Sequence, residues 1–420
     1  MSEVSLARAA HLTARLGRIL LTHGADTAHT QRMLTDVGRA LGHTVQVLVT
    51  ADALLITVGT EAQFQTKVGH ALVGMSVDMG TLMALQQLVD SICLGTLKAQ
   101  AIDAQLDAVE HAPQEHGAMT MALGIGVTAA SLARLFGGEW SVVAAAFVAG
   151  VLSALLRRAL GRHAVNGVAV VFITALLSGL CSILVLRAFS GASPVLCLTA
   201  AGMILVPGVP LINGVRDLVS GHPGNGLARI AMGAMTVLVI GFALFIAAAL
   251  LGDSLPVGSG PGSLPLGQDM LFAATAAAGY ALFFNVPWRV LWVCVLCGIA
   301  SHGLRTLLQQ HGLDLACASL VGAFAAGLVA LLAGARLRVP PVVFAFPGIV
   351  ALVPGSYGFR AGVGGLQWMS LGADSPLVLI ADTTSLAITT VIVSAAIAVG
   401  LLLALAVRPE RSISEPLSKG

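Results

Sequence analysis

Long apolar stretches constrain this chain more than any other feature of its sequence. From Gly117 onward, runs of about 15–25 apolar residues alternate with short breaks. The hydrocarbon core of a bilayer requires about 20 apolar residues per helix. The pattern therefore predicts about ten transmembrane helices, at residues 117–136, 140–156, 164–186, 194–213, 227–251, 268–285, 288–301, 315–333, 340–358 and 377–407.

The composition supports a membrane protein and excludes several other classes. The chain is 57% hydrophobic and only 10% charged, whereas soluble proteins carry about 25% charged residues. The net charge of +2 gives no reason to expect a nucleic-acid partner. The sequence contains no HExxH, P-loop or GxSxG motif, so we expect no enzyme activity, catalytic residue, metal site or cofactor.

The first 115 residues are more polar and predict a small cytoplasmic α/β domain. Apolar residues at helical spacing near the N-terminus indicate a first helix, and "GADTAHTQRMLTDVGRALG" indicates a second helix with Asp26 or Thr27 as its N-cap. The segments 44–50, 53–60 and 63–73 have the pattern of strands. We predict this domain at 1–115, a first five-helix membrane part at 116–256 and a second at 257–420.

The distribution of basic residues predicts the orientation in the membrane. With the first domain placed in the cytoplasm, most Lys and Arg residues of the loops fall on the same side, and the long loop after the fifth predicted helix has none. Cytoplasmic loops are enriched in such residues. We therefore expect a multi-pass protein of a bacterial inner membrane with both termini in the cytoplasm.

A weak internal repeat suggests that the two five-helix parts are related. "VPGVPLINGVRD" has a counterpart in "FPGIVALVPGSYG", which pairs Pro207–Gly208 with Pro347–Gly348. Both segments lie in the fourth helix of a group of five. Because five is odd, two such groups in the same order must be inverted relative to each other, as in many secondary transporters.

Prolines beside glycines interrupt the fourth helix of each group. A proline removes a backbone donor and displaces a carbonyl one turn back. A half-helix N-terminus created in this way can hold a carboxylate, and the freed carbonyls can hold an ammonium group. The alternative is a simple kink. The candidate substrate-binding residues in these segments are Pro207, Gly208, Pro210, Pro347, Gly348, Pro354 and Gly355.

Four polar residues in or near the predicted helices are further candidates. Asp382 lies inside the last predicted helix and is a candidate proton carrier, although an interfacial acid near a helix N-terminus is equally compatible. Asn213 could hydrogen-bond a substrate. Asp217 could bind substrate or form an interfacial pair with its neighbour Arg216. Arg289 follows Pro287 at a cytoplasmic turn and could bind substrate or anchor that turn.

Several motifs resemble those of the bacterial threonine/serine exporter family. They are "LLTHGADTAHTQRMLTDVGRALG", "LVPGVPLINGVRDLVSGHPGNGLAR", "NVPWRVLW" and "FPGIVALVPGSYGFRAG". The resemblance implies a cytoplasmic N-terminal domain, two five-helix membrane parts, and export of threonine and serine driven by the proton motive force. Some two-chain relatives in this family are implicated in succinate export.

The sequence therefore favours a secondary active transporter with threonine, serine, protons and the lipid bilayer as partners, and leaves homo-oligomerisation open. Two alternatives remain. A dicarboxylate exporter would need more positive potential in its cavity. A membrane sensor or structural protein would use the first domain to read a ligand and would transport nothing.

Overall fold

The computed structural model describes residues 4–50, 52–60, 63–70, 77–163, 166–189, 197–198, 200, 202, 205–253, 257 and 264–407.

The N-terminal part contains four helices and one small sheet. The helices are α1 (Leu6–Thr22), α2 (Thr27–Ala40), α3 (Met79–Cys93) and α4 (Ile102–Glu110), and the strands are β1 (Thr44–Val49), β2 (Ala53–Gly59) and β3 (Phe64–His70). The strands pair in the antiparallel order β1–β2–β3. The three predicted strands are thus confirmed.

The helices and strands of this small domain each bury one face in a shared hydrophobic core. The α1 residues Leu12 and Leu16 are buried in the same core as Leu54 and Ile56 of β2. Asp26 begins α2, because its side chain accepts a hydrogen bond from the backbone N–H of His29 at 2.9 Å. This is the cap that the sequence predicts.

The described residues from Ala118 onward are mostly helical. The helices are α5 (Ala118–Leu135), α6 (Trp140–Gly161), α7 (Gly167–Phe189), α8 (Gly208–Val219), α9 (Pro223–Leu250), α10 (Leu266–Phe283), α11 (Trp288–Gln310), α12 (Leu315–Leu337), α13 (Val342–Ile349), α14 (Gly355–Leu371) and α15 (Leu377–Ala406).

Among the described residues, seven helices are long and apolar enough to cross a membrane: α5, α6, α7, α9, α11, α12 and α15. The chain from Val342 to Asp374 forms a helix pair bent by 46° that counts as an eighth. Two other predicted spans fall short. The 18-residue α10 contains Asp269, and α8 has 12 residues, while much of the segment before α8 lies outside the described residues. Ten spans therefore remain a prediction.

The two membrane parts approach closely through glycines. A Cβ atom added to Gly279 of α10 would lie 2.4 Å from the carbonyl oxygen of Gly124 in α5. No real Cβ tolerates that distance, so the two helices can pack this closely only with glycine at this position. Helices in lipid commonly associate through small residues, which let their backbones approach closely.

Candidate functional site

Two Val-Pro-Gly segments adopt the same backbone arrangement, and we refer to them as the VPG breaks. Pro207 caps α8 and Pro354 caps α14, each with a φ of −77°. In each case the following glycine N–H bonds to the valine carbonyl two residues back, at 2.8 Å for Gly208 and 2.7 Å for Gly355. The counterpart of Pro207 is therefore Pro354, and not Pro347 as the sequence pairing predicted.

The two VPG breaks lie against each other. A Cβ atom added to Gly208 would be 3.6 Å from a methyl carbon of Val353 and 3.7 Å from one of Val350. Pro210 follows in the first turn of α8 and is also buried. The start of α8 thus packs on Val353 and on the 3-10 helix (Val350–Leu352) that precede α14.

Pro347 and Gly348 lie within α13 and have a packing role. A Cβ atom on Gly348 would be 2.3 Å from the Cβ of Cys297, so glycine is required for the close approach of α11. The Gly348 carbonyl accepts a hydrogen bond from the Ser301 hydroxyl at 2.9 Å. Both contacts join α13 to α11.

A cavity of about 440 Å³ lies beside the second VPG break. This volume is within the range of about 300–1,000 Å³ that is typical of small-molecule sites. Its walls include the end of a short 3-10 helix (Val350–Leu352), the residues Val353 and Pro354, and the first turn of α14 with Ser356 and Tyr357. The first N–H groups of a helix have no intrahelical acceptor, so this wall carries positive potential.

Three ionisable side chains in the cavity wall form a hydrogen-bonded row, which we call the polar triad: Asp269, His302 and Arg305. The Asp269 carboxylate is 2.9 Å from His302 Nδ1, and Arg305 Nη2 is 2.9 Å from His302 Nε2. The Thr306 hydroxyl also donates to Asp269, at 2.9 Å. The cavity therefore presents one anionic and one cationic group close together.

The sequence interpretation missed the polar triad. Asp269 falls within the predicted sixth span, 268–285, and His302 and Arg305 follow the predicted end of the seventh span at residue 301. In the structure α11 continues to Gln310. The available signal was helical spacing, because residues 302, 305, 306 and 309 lie on one face of a helix, and all four line the cavity.

Asn213 and Asp217 do not line this cavity but bind the N-terminal domain. Asn213 Nδ2 donates to the Gly24 carbonyl at 3.0 Å. Asp217 accepts hydrogen bonds from the backbone N–H and the hydroxyl of Thr27, both at 3.1 Å. Both predicted substrate-binding residues thus contact the N-terminal domain in this structure, and their role in binding substrate remains a prediction.

These residues belong to a buried set that we call the docking cluster: Asp26, Thr27, Asn213, Arg216, Asp217, Asn225 and Arg229. Arg216 pairs with Asp26 at 3.0 Å and Arg229 pairs with Asp217 at 3.1 Å. The α1–α2 turn is inserted between the ends of α8 and α9. Sequence reasoning gave Asp26 only a capping role.

A second contact fixes the N-terminal domain to the other membrane part. Asn285, which has a positive φ of 60°, donates its side-chain amide to the Asp78 carboxylate at 3.0 Å. Its side-chain oxygen accepts from the backbone N–H of Glu115 at 2.9 Å. The domain therefore contacts both membrane parts at the same end of the molecule.

The cavity lies at the opposite end of the helices from these contacts. Thr306 is 18 residues after Trp288 in α11, which corresponds to about 27 Å along the helix axis, and Trp288 stacks edge-on with His116 at 4.8 Å. Exposed Gln309 and Gln310 form part of the cavity rim. The cavity thus opens away from the N-terminal domain.

The remaining two candidates lie outside the cavity wall. Arg289 is exposed at the start of α11, at the end that contacts the N-terminal domain. Asp382 is half-buried near the start of α15 and interacts electrostatically with Arg360. The Arg360 guanidinium donates to the Val257 carbonyl at 2.9 Å.

Two family models together match most of the chain. One, described as "Putative threonine/serine exporter", matches residues 11–251. The second, described as "Threonine/Serine exporter, ThrE", matches residues 269–407.

Curated relatives carry two kinds of name. The chain is 23% identical to the "Threonine/serine exporter" of Corynebacterium glutamicum over 90% of this chain and 80% of that protein. It is 27% identical to the "Probable succinate transporter subunit YjjP" of Escherichia coli over 57% of this chain and 94% of that protein. The Klebsiella aerogenes protein of the same name is 26% identical over 56% of this chain and 90% of that protein. No solved structure matches the chain.

Proposed function

Because the chain belongs to the threonine/serine exporter family, we propose that it exports threonine and serine across a bacterial inner membrane. The cavity at the second VPG break carries this proposal. A zwitterionic amino acid needs one anion site and one cation site within a few ångströms. The cavity wall supplies both without a large excess of either charge.

The two ends of an amino acid have distinct partners in this cavity. Arg305 and the N-terminus of α14 form the side that attracts a carboxylate. Asp269 forms the side that attracts an ammonium group. Ser356, Thr306 and Tyr357 line the same cavity and offer hydroxyl groups that can hydrogen-bond the hydroxyl of threonine or serine.

The proton motive force is the proposed energy source. The sequence lacks a nucleotide-binding P-loop, and the cavity contains groups that can carry a proton. Export against a gradient then requires that proton entry be coupled to amino-acid exit.

Alternating access follows from the positions of the cavity and the N-terminal domain. With both termini in the cytoplasm, as the basic loop residues favour, the cavity faces the external side and the docking cluster closes the cytoplasmic side. Opening the cytoplasmic side would require separation of the Asp26–Arg216 and Asp217–Arg229 pairs.

Two inverted repeats of five spans, at 116–256 and 257–420, remain our proposal for the membrane architecture. The matched VPG breaks support it, because each has a proline cap and the same short hydrogen bond. A contact between the two breaks also fits a transport site at the interface of repeats.

Succinate export is a less favoured alternative. The two succinate-named relatives align with 57% and 56% of this chain, whereas the threonine/serine exporter aligns with 90%. A dianion also fits the cavity poorly, because Asp269 faces the same space as Arg305. Arg289, which could have supplied a further positive charge, is exposed at the start of α11 and does not line this cavity.

Counterflow of labelled amino acids in proteoliposomes tests the proposal. Vesicles loaded with unlabelled threonine should accumulate labelled threonine and serine, and succinate should not compete. An Arg289→Gln variant should behave like the wild type. Absence of threonine exchange under any gradient would contradict export and favour a sensor or structural role.

A further inference from the structure

The hydrogen-bond directions in the polar triad fix the protonation of its histidine. An ionised carboxylate can only accept a hydrogen bond, so His302 Nδ1 carries a proton and donates to Asp269 at 2.9 Å. Arg305 Nη2 lies beside the ring, 2.9 Å from Nε2 and 3.3 Å from Nδ1. This adjacent positive charge favours the neutral imidazole, which then lies between a cation and an anion.

Building on the proposed function, we propose that the Asp269–His302 pair is the proton-coupling site, and that a proton and the substrate ammonium group compete for it. Both side chains line the cavity, and both are almost fully buried, at 5% and 2% exposure. This assignment replaces Asp382, which the sequence suggested but which is not in the cavity wall.

Charge explains the competition. While the pair holds no extra proton, the Asp269 carboxylate attracts an ammonium group. One proton taken up from the external side removes the net negative charge of the pair, and the ammonium group loses its partner. The amino acid leaves to the external side, and the proton is released to the cytoplasm after the cavity reorients. One positive charge moves inward for each neutral zwitterion that moves outward.

The same proton also acts on Arg305. A protonated imidazole repels the guanidinium nitrogen that lies 2.9 Å from Nε2, so proton binding weakens the contact between His302 and Arg305.

The surroundings of His302 contain few other charges. Its own helix contributes the charge of Arg305 and the hydroxyl group of Thr306, and α10 contributes the carboxylate of Asp269. Gln268, next to Asp269, accepts a hydrogen bond from Arg134 of α5 at 3.3 Å. The α14 helix contributes Tyr357, which interacts electrostatically with Arg305. The nearby lining residues of α12 and α15 are apolar, namely Leu315 and Val393.

The test compares exchange with proton-driven transport in proteoliposomes containing the full chain. In the wild type, the apparent KM for external threonine should rise as the pH is lowered, by at most about tenfold per pH unit, because one proton displaces one ammonium group. His302→Gln retains an amide donor for Asp269 and an acceptor for Arg305 but cannot gain a proton. Its KM should be independent of pH between 5.5 and 7.5, and its pH-gradient-driven accumulation should fall at least tenfold.

The melting temperature of purified His302→Gln should match that of the wild type, which shows that the variant is folded, and its exchange at pH 8 should be measurable but slower. An Asp382→Asn variant should keep the pH response of the wild type. The proposed proton site would be overturned if His302→Gln kept the pH dependence and the accumulation of the wild type, or if Asp382→Asn lost them. Either result would leave the proposed export function intact. Failure of wild-type threonine exchange would instead overturn the function on which this site depends.

Thr306→Val provides an independent measurement. Its hydroxyl donates to the Asp269 carboxylate, and such a bond favours the charged form. Its removal should shift the midpoint of the KM–pH profile to higher pH. An unchanged midpoint, or a shift to lower pH, would contradict competition at this carboxylate.

Discussion

Asp26 of the N-terminal domain and Arg216 of α8 form an ion pair in which both side chains are nearly inaccessible to solvent. The carboxylate and guanidinium atoms are 3.0 Å apart, with side-chain exposures of 6% and 7%. Arg216 also donates to Asn213 at 3.3 Å and lies over the ring of Phe346. The pair thus connects the docked domain to a helix that begins at a VPG break.

Removal of one partner of this pair should detach or destabilise the domain. Arg216→Ala leaves the Asp26 carboxylate buried and uncompensated, a change that typically costs about 3–5 kcal/mol. We expect a corresponding fall in the free energy of unfolding, measured by denaturant titration in detergent. The linker near Pro113 should also become more sensitive to limited proteolysis.

Two variants control for this experiment. Asp103→Asn removes the exposed Arg8–Asp103 pair and should cost less than about 1 kcal/mol. The double variant Asp26→Asn with Arg216→Gln removes both charges and should recover part of the loss. Equal stability of Arg216→Ala and Asp103→Asn would show that the buried pair does not hold the domain.

The stabilisation from Asp26 should depend on pH in one direction only. Burial alone would raise the pKa of Asp26, but the charge of Arg216 and the hydrogen bond from His29 hold it well below the ordinary 3.8. A carboxylate with a lowered pKa in the folded state stabilises that state above pH 3.8 and loses this effect as the pH falls.

The measurement is the difference in unfolding free energy between the wild type and Asp26→Asn. This difference should be constant between pH 5 and 8 and should shrink as the pH is lowered below 3.8. A difference that grows on acidification would mean that Asp26 is protonated in the docked state.

Gly348 should be required for the packing of α13 on α11. An alanine Cβ there would lie 2.3 Å from the Cβ of Cys297, and overpacking of this kind typically costs about 1–3 kcal/mol. Gly362→Ala in α14 is the matched control, since a Cβ there meets nothing within 4 Å. Thermal unfolding of the two purified variants should separate them, and equal melting temperatures would contradict the packing role.

Pro354 should matter for transport more than Pro347. Pro354 caps α14 and lines the cavity, whereas Pro347 lies inside α13. We expect Pro354→Ala to extend α14 at its N-terminus. Exchange per molecule should fall about tenfold or more, which corresponds to a loss of at least roughly 1.4 kcal/mol of binding or barrier free energy.

Exchange rates normalised to protein content in the vesicles provide the measurement. Pro347→Ala should retain most of the wild-type rate, and Pro207→Ala should resemble Pro354→Ala because the two prolines occupy matching positions. Equal rates for Pro354→Ala and the wild type would reduce the second VPG break to a structural kink.

Periodicity and apolar length predicted the broad features of the fold. The three strands and the Asp26 cap are local features, and local sequence signals were sufficient for them. The sequence paired Pro207 with Pro347 because it relied on the first Pro-Gly of the second segment, whereas the local backbone of Pro207 matches that of Pro354. Only the backbone shows that Pro347 continues a helix whereas Pro354 caps one.

The polar residues were harder to assign because their partners are distant in sequence. Asp217 and Thr27 meet only through docking of the first domain, and no spacing rule connects them. His302 lies just beyond the predicted span 288–301. Its partner Asp269 is on another helix, so the triad emerges only from the packing of α10 on α11.

Substrate protection of the cavity wall tests most directly whether an amino acid is held beside the second VPG break. A Ser356→Cys variant, with the six native cysteines replaced, would be labelled from the external side by a small thiol reagent in proteoliposomes. We expect saturating threonine or serine to slow labelling several-fold, and succinate or leucine to have no effect. Labelling that is unchanged by threonine, in vesicles that still exchange threonine, would place the substrate elsewhere.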